Sequence, residues 1–232
     1  ADVHCAGIGI PGTVNQAEGT VEYANNFGLG EHTGIELPES VGVMSNPDYK
    51  LEQTGAGWYA GDTVQTAIGQ SYNLFTPLQL ASYTATIAND GVRHSASILK
   101  KVSSYDYAEN IYQRQPEVLS TVKSDPKNFE AVQYGMYLVA NNPDGNAYPT
   151  FYDYPIDVAA KTGSAQIGKG NTANACFVCY APYDDPEVAV AVVVERGAAG
   201  SAIASLAREV LDAYFSIQDS NETVESEMTL LR

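Results

Sequence analysis

The tetrapeptide Lys161-Thr162-Gly163-Ser164 gathers four groups suited to holding an anion beside a reacting carbonyl. The Lys161 ammonium supplies a fixed positive charge, and the hydroxyls of Thr162 and Ser164 can donate hydrogen bonds to a carboxylate. Gly163 leaves room for a ligand to approach the backbone closely. The Ser164 N–H, aimed at a carbonyl oxygen, would form one half of an oxyanion hole. A K-[ST]-G tripeptide also arises by chance in many chains, so the surrounding sequence must decide its meaning.

Other residue types capable of chemistry are less well arranged. Cys176 and Cys179 have the C-x-x-C spacing of redox and zinc sites, but in an extended strand residues three apart project to opposite faces, so two structural thiols are expected. His4, His32 and His94 are dispersed with no acidic partner nearby in sequence, which argues against a metal site and against a Ser-His-Asp triad. Asp62 and Thr63 read as organisers of a loop and cap of the next helix, and Gln70 and Gln79 as holders of backbone. Trp58, the only tryptophan, fits a core position and a cleft wall equally well.

The elements that must position Lys161 are legible from periodicity. A lysine flanked by small residues inside a strand implies that the strand borders a cleft. Three strand signals run in succession, 156–168, 175–182 and 187–197, separated by short turn-rich pieces, which predicts an antiparallel meander. From Ser201 an amphipathic helix follows. Upstream, Thr76-Pro77 is an N-cap followed by a proline in the first turn, predicting a buried helix from Pro77 to about Asn89, ended by Asn89-Asp90-Gly91. A second helix is predicted over about 126–139, and Val21 to Val43 reads as a surface excursion. The whole indicates an α+β domain with an antiparallel sheet, whose three strands leave two open edges. Residues 1–218 form one unit, and the acidic stretch 219–232 is expected to be a disordered tail.

Charge narrows the partners. With 28 Asp plus Glu against 12 Lys plus Arg, the net charge is −16, which repels phosphate backbones and anionic lipid and so excludes nucleic acid. No apolar run approaches the roughly 20 residues of a membrane span. Three cysteines leave at least one thiol unpaired, so no disulfide framework is implied.

The chain resembles the transpeptidase domain of penicillin-binding proteins. "FGLGEHTGIELPES" (27–40) is similar to the family's F-G-x-G-x-x-T-G-I-x-L-P-x-E passage, and 57–91 carries its G-W-x-x-G-D-T, I-G-Q, T-P-L-Q-x-A and I-A-N-x-G series. "AAKTGSAQ" resembles G-K-T-G-T-A-Q, and the two strand signals after it resemble those of the family. The G-D-T to T-P-L-Q series separates this resemblance from β-lactamases. It implies a β-lactamase/transpeptidase-like fold and a D,D-transpeptidase parent that crosslinks peptidoglycan stem peptides ending in D-Ala-D-Ala, binds β-lactams, and works with other cell-wall synthesis proteins. It implies no cofactor and no metal, and a parent acting on the extracytoplasmic face of the membrane, held by an N-terminal anchor outside this sequence. Lys161 and Ser164 would be catalytic, and Lys161, Thr162, Gly163, Ser164 and Gln166 would bind substrate.

The family's nucleophile is the serine of S-x-x-K, with S-x-N beside it, both N-terminal to the F-G-x-G passage. Where S-x-N is expected this chain reads His4-Cys5-Ala6, and its S-x-x-K matches at Ser97, Ser120 and Ser124 fall after that passage. The first lies in what the family makes a strand-like stretch, with Ser97 and Lys100 on opposite faces, and Ser124-Asp125-Pro126-Lys127 reads as a helix cap. The chain is therefore expected to be the C-terminal part of the domain and inactive alone. The rival reading is a non-catalytic module of the same fold that binds a cell-wall peptide or a protein.

Overall fold

The apolar strand signals after Ile156 build the centre of the molecule. In the computed structural model the backbone is described for residues 14–15, 20–21, 24–166 and 172–229, and side chains for 26–166 and 172–216. In chain order the elements are β1 (Val14–Asn15) and β2 (Thr20–Val21), a 3-10 turn (Ala24–Phe27), α1 (Pro47–Thr54), α2 (Ala60–Ala67), α3 (Pro77–Ala88), β3 (Val92–His94), β4 (Lys101–Ser103), β5 (Asn110–Gln113) and β6 (Val118–Thr121). There follow α4 (Pro126–Asn141), α5 (Tyr148–Phe151), β7 (Ala159–Ala165), β8 (Asn174–Ala181), β9 (Val188–Val194), a second 3-10 turn (Gly200–Ile203) and α6 (Ala204–Thr229).

Strands β7, β8 and β9 form the expected antiparallel meander, with β8 in the middle. All eight β8 residues are buried, because helices cover both faces of the sheet. One face, with Ala159, Cys176, Val178 and Tyr180, packs against Tyr83 and Ile87 of α3 and Phe129 and Met136 of α4. The other, with Ala160, Phe177 and Cys179, packs against Ala204, Ala207 and Leu211 of α6. Cys176 and Cys179 thus fall on opposite faces as free, buried cysteines, and burial pushes the Cys179 thiol up to about 12. Helices on both faces of an antiparallel sheet make this an α+β domain.

Sequence chemistry explains the helix ends. Thr76 Oγ1 accepts from the Gln79 N–H at 3.1 Å while Gln79 Oε1 accepts from the Thr76 N–H at 3.0 Å, closing a capping box with Pro77 in the first turn. α3 ends into Gly91, whose φ of 88° and whose position 2.5 Å, at Cβ, from the Phe129 ring both demand glycine. Asp125 caps α4 by accepting from the Lys127 N–H at 3.0 Å, so Ser124-Asp125-Pro126-Lys127 is the helix entry that its residues imply. The backbone of α6 continues through 219–229, the stretch whose composition reads as a tail; it contains no Gly or Pro to stop a helix.

Two expectations are corrected. The 21–43 segment is no mere surface excursion: Phe27 and Leu29 are buried in the core against Tyr83 and Phe129. Residues 95–100 are not strand but an irregular link between β3 and β4. Around that link β3 pairs with β6 and β4 with β5, two nested antiparallel ribbons whose exposed strands carry no apolar alternation.

Candidate functional site

β7 is an edge strand, paired on one side with β8 and on the other with no strand among the described residues. Along it Lys161 follows Ala159 onto the α3/α4 face, and the half-buried side chain enters a cavity of about 340 Å³. The walls are Tyr83 and Ile87 from α3, Val132, Gly135, Met136 and Val139 from α4, and Val178 from β8. Burial in these apolar surroundings pushes the Lys161 pKa below the ordinary lysine value, and its Nζ donates to the Thr162 carbonyl at 2.7 Å. Burial pushes the Tyr83 phenol up, so it stays protonated beside the lysine.

Ser164 lies on the other face of the strand. It is exposed, and its Oγ accepts from the Gly200 N–H at 3.4 Å. Thr162 is half-buried, Gly163 is buried, and Gln166 is exposed just past the end of β7. The K-T-G-S residues therefore line the free edge from two sides, a cation in an apolar recess and a hydroxyl at the rim. Such an edge can bind an extended peptide by backbone hydrogen bonds while Lys161 and Ser164 address a carboxylate.

The three S-x-x-K serines are occupied elsewhere. Ser97 Oγ donates to the Glu36 carboxylate, Ser120 Oγ to the Asn26 carbonyl at 2.6 Å, and Ser124 Oγ accepts from Asn128 Nδ2 at 2.9 Å. None of them lines the cavity with Lys161.

The remaining polar candidates are scaffold. Gln79 Nε2 donates to the carbonyls of Glu31 and Val41, 2.8 Å each, pinning the F-G-x-G passage to α3. Asp62 accepts from the Tyr59 N–H at 2.7 Å and from Lys50 Nζ at 2.6 Å; burial alone would raise its carboxyl, but these bonds outweigh it and hold the pKa below the ordinary aspartate value. Trp58, half-buried, donates from Nε1 to Thr63 Oγ1 at 2.8 Å and so buttresses the start of α2. Gln70 contributes its backbone carbonyl, accepting from Asn73 Nδ2 at 3.0 Å.

Sequence reasoning missed Arg93. Its side chain is 2% exposed, Nη1 lies 2.8 Å from Glu31 Oε2, and Nη2 donates to the His32 carbonyl, locking the 28–32 turn. A single arginine in a polar stretch gives no periodicity signal. His32 itself is exposed, 3.4 Å from Glu39, and no group of His, Cys, Asp and Glu among the described residues could hold a metal.

A family model described as the penicillin binding protein transpeptidase domain matches residues 15–212. The peptidoglycan D,D-transpeptidase MrdA of Escherichia coli is 34% identical over 221 residues, covering 89% of this chain and 34% of that protein. Penicillin-binding protein 2A of Bacillus subtilis is 35% identical over 218 residues, covering 86% of this chain and 29% of that one. Among solved structures, penicillin-binding protein PBP2 of Helicobacter pylori in complex with MreC superposes with a TM-score of 0.71 at 32% identity, covering 84% of this chain and 34% of that one. PBP2 of Pseudomonas aeruginosa in complex with WCK 5153 gives 0.69 at 32% identity, over 82% and 42% respectively. This chain thus spans about a third of the length of the curated relatives. A match that begins before the F-G-x-G passage and ends within α6 takes in every element around the Lys161 cavity, so the chain belongs to the family of penicillin-binding protein transpeptidase domains.

Proposed function

We propose that this chain is the K-T-G-bearing part of a peptidoglycan D,D-transpeptidase, which crosslinks stem peptides and binds β-lactams through an acyl-enzyme on a serine outside this sequence. The observation that carries the reading is Lys161 on a strand edge unpaired among the described residues, its side chain in an apolar recess on one face of β7 and the exposed Ser164 hydroxyl on the other. In that role Lys161, Thr162 and Ser164 hold the terminal carboxylate of the stem peptide or the β-lactam. Gly163 and Gln166 flank the bound backbone, and the Ser164 N–H contributes to the oxyanion hole. Thr162 and Ser164 share one phase of the strand's hydrogen-bonding alternation, and Lys161 reaches the Thr162 carbonyl, which supports an outward Ser164 N–H. A cation in a water-poor site stabilises developing negative charge more than one in water does.

The recess has apolar walls and no serine among its lining residues, which fits a nucleophile delivered by a segment that covers it. The parent would act on the extracytoplasmic face of the membrane, anchored outside this sequence and joined to cell-wall synthesis partners, as the MreC complex of the Helicobacter pylori relative suggests by analogy. The same missing serine favours the second reading, a non-catalytic peptide-binding module. Lys161→Ala in the full-length parent tests the role: acylation by benzylpenicillin should fall by about 100-fold or more, the scale of losing one preorganised charge-stabilising group. Acylation at the wild-type rate would remove Lys161 from the site.

A further inference from the structure

Gly200 opens the 3-10 turn after β9 and is buried. Its backbone is not in the left-handed region, so conformation does not require glycine here. Space does. A Cβ at this position would lie 2.3 Å from the Cys176 carbonyl oxygen, 2.6 Å from the Gly163 nitrogen and 2.7 Å from the Gly163 oxygen. Gly163 and Cys176 are register partners in β7 and β8, so the obstructing atoms are backbone of paired strands that no rotamer change can move. The turn therefore rests directly on the K-T-G strand at its glycine. From the same position the Gly200 N–H donates to Ser164 Oγ at 3.4 Å. A hydroxyl that accepts one bond keeps its single proton for another acceptor.

We propose that Gly200 is a positioning residue for the ligand-binding edge of β7. The close backbone contact seats the turn against β7 at Gly163, and from that seat the Gly200 N–H holds the Ser164 hydroxyl in the rotamer whose proton faces the ligand carboxylate, so that a Cβ, which lifts the turn, acts through the loss of this one bond. The inference rests on the transpeptidase reading and adds to it a residue 36 positions after Ser164 that touches no ligand.

The test is a double-mutant cycle in the full-length parent, read as the second-order rate constant of acylation by a fluorescent penicillin. Gly200→Ala should lower it about tenfold or more, since small misplacements at a site are costly. In the Ser164→Ala background the same change should cost less than about twofold, because its effect runs through that serine. A merely structural role would leave the full loss in both backgrounds and overturn the proposal, as would wild-type acylation by Gly200→Ala. If Gly200→Ala does not fold, exchange of the Gly200 amide decides: Ser164→Ala should speed it about fivefold and Ser164→Thr should not. Equal exchange in all three proteins overturns the proposal. A wild-type parent that takes no label instead overturns the transpeptidase reading, and this proposal with it.

Discussion

The β7–β9 sheet and the two ribbons of residues 92–121 are both antiparallel, yet they are held by opposite means. β8 is buried on both faces, so its stability comes from apolar contact with α3 and α4 on one side and α6 on the other. Every residue of β5 is exposed, and the ribbons are moored instead by polar links. Glu36 accepts from Ser97 Oγ and from the Ile98 N–H at 3.0 Å, and pairs with Arg114 at 3.0 Å. The sheet shows where a strand is fixed tightly enough to carry a lysine at a set depth. The β4–β5 ribbon shows that regular backbone can form with no core beneath it, at a site that needs no such precision.

The largest expected contrast is in side-chain truncation. Leu211 is fully buried under the sheet, so Leu211→Ala should cost about 3 kcal/mol in urea unfolding, whereas Ile111→Ala in β5, at 68% exposure, should stay within about 0.5 kcal/mol. Equal losses would erase the distinction between the two regions.

Polar anchors sharpen it next. Lys50 and Asp62 pair at 2.6 Å with side chains only 8% and 15% exposed. Lys50→Met keeps the stem but strands the carboxylate, and should cost about 3 kcal/mol, as breaking a buried pair does. A loss no larger than that of a surface pair would show that the Asp62 carboxylate is well solvated.

The smallest effect is the ribbon's own titration. The hydrogen bond from Ser97, followed by that from the Ile98 N–H, lowers the Glu36 carboxyl from 4.5 to about 2. A depressed carboxyl contributes its anchoring fully above the unfolded value and loses it as pH falls, so the mooring should hold at pH 5 and release through about pH 2. The Ile98 amide chemical shift follows this directly; a midpoint near 4.5 would mean that the Glu36 bonds are not formed.

The same contrast explains what could be read from the residues alone. Helices α3 and α4 and the β7–β9 meander were legible because burial imposes period and because Thr76-Pro77, Asp125-Pro126 and Gly91 punctuate their ends. The opposite faces of Cys176 and Cys179 followed from strand alternation alone. The β4–β5 ribbon was not legible, since exposed strands need no apolar pattern, and β3 was not, because the side chain it buries is that of Arg93. Nor was the burial of Phe27 and Leu29, where isolated apolar residues in a glycine-rich passage reach the core through long-range contacts with Tyr83 and Phe129. At the site, the residues pointed to the tetrapeptide but could not reveal the apolar recess that α3 and α4 build around Lys161, or that Gly200 lies against the strand, since both depend on contacts distant in sequence.

The central claim is that this chain supplies the anion-binding edge and another segment supplies the nucleophile. Intact mass after incubation with benzylpenicillin, run on this chain and on its full-length parent side by side, tests it most directly. The account predicts a covalent adduct on the parent and none on the chain. An adduct on the chain would place the nucleophile among its own serines, and an unlabelled parent would contradict the transpeptidase reading.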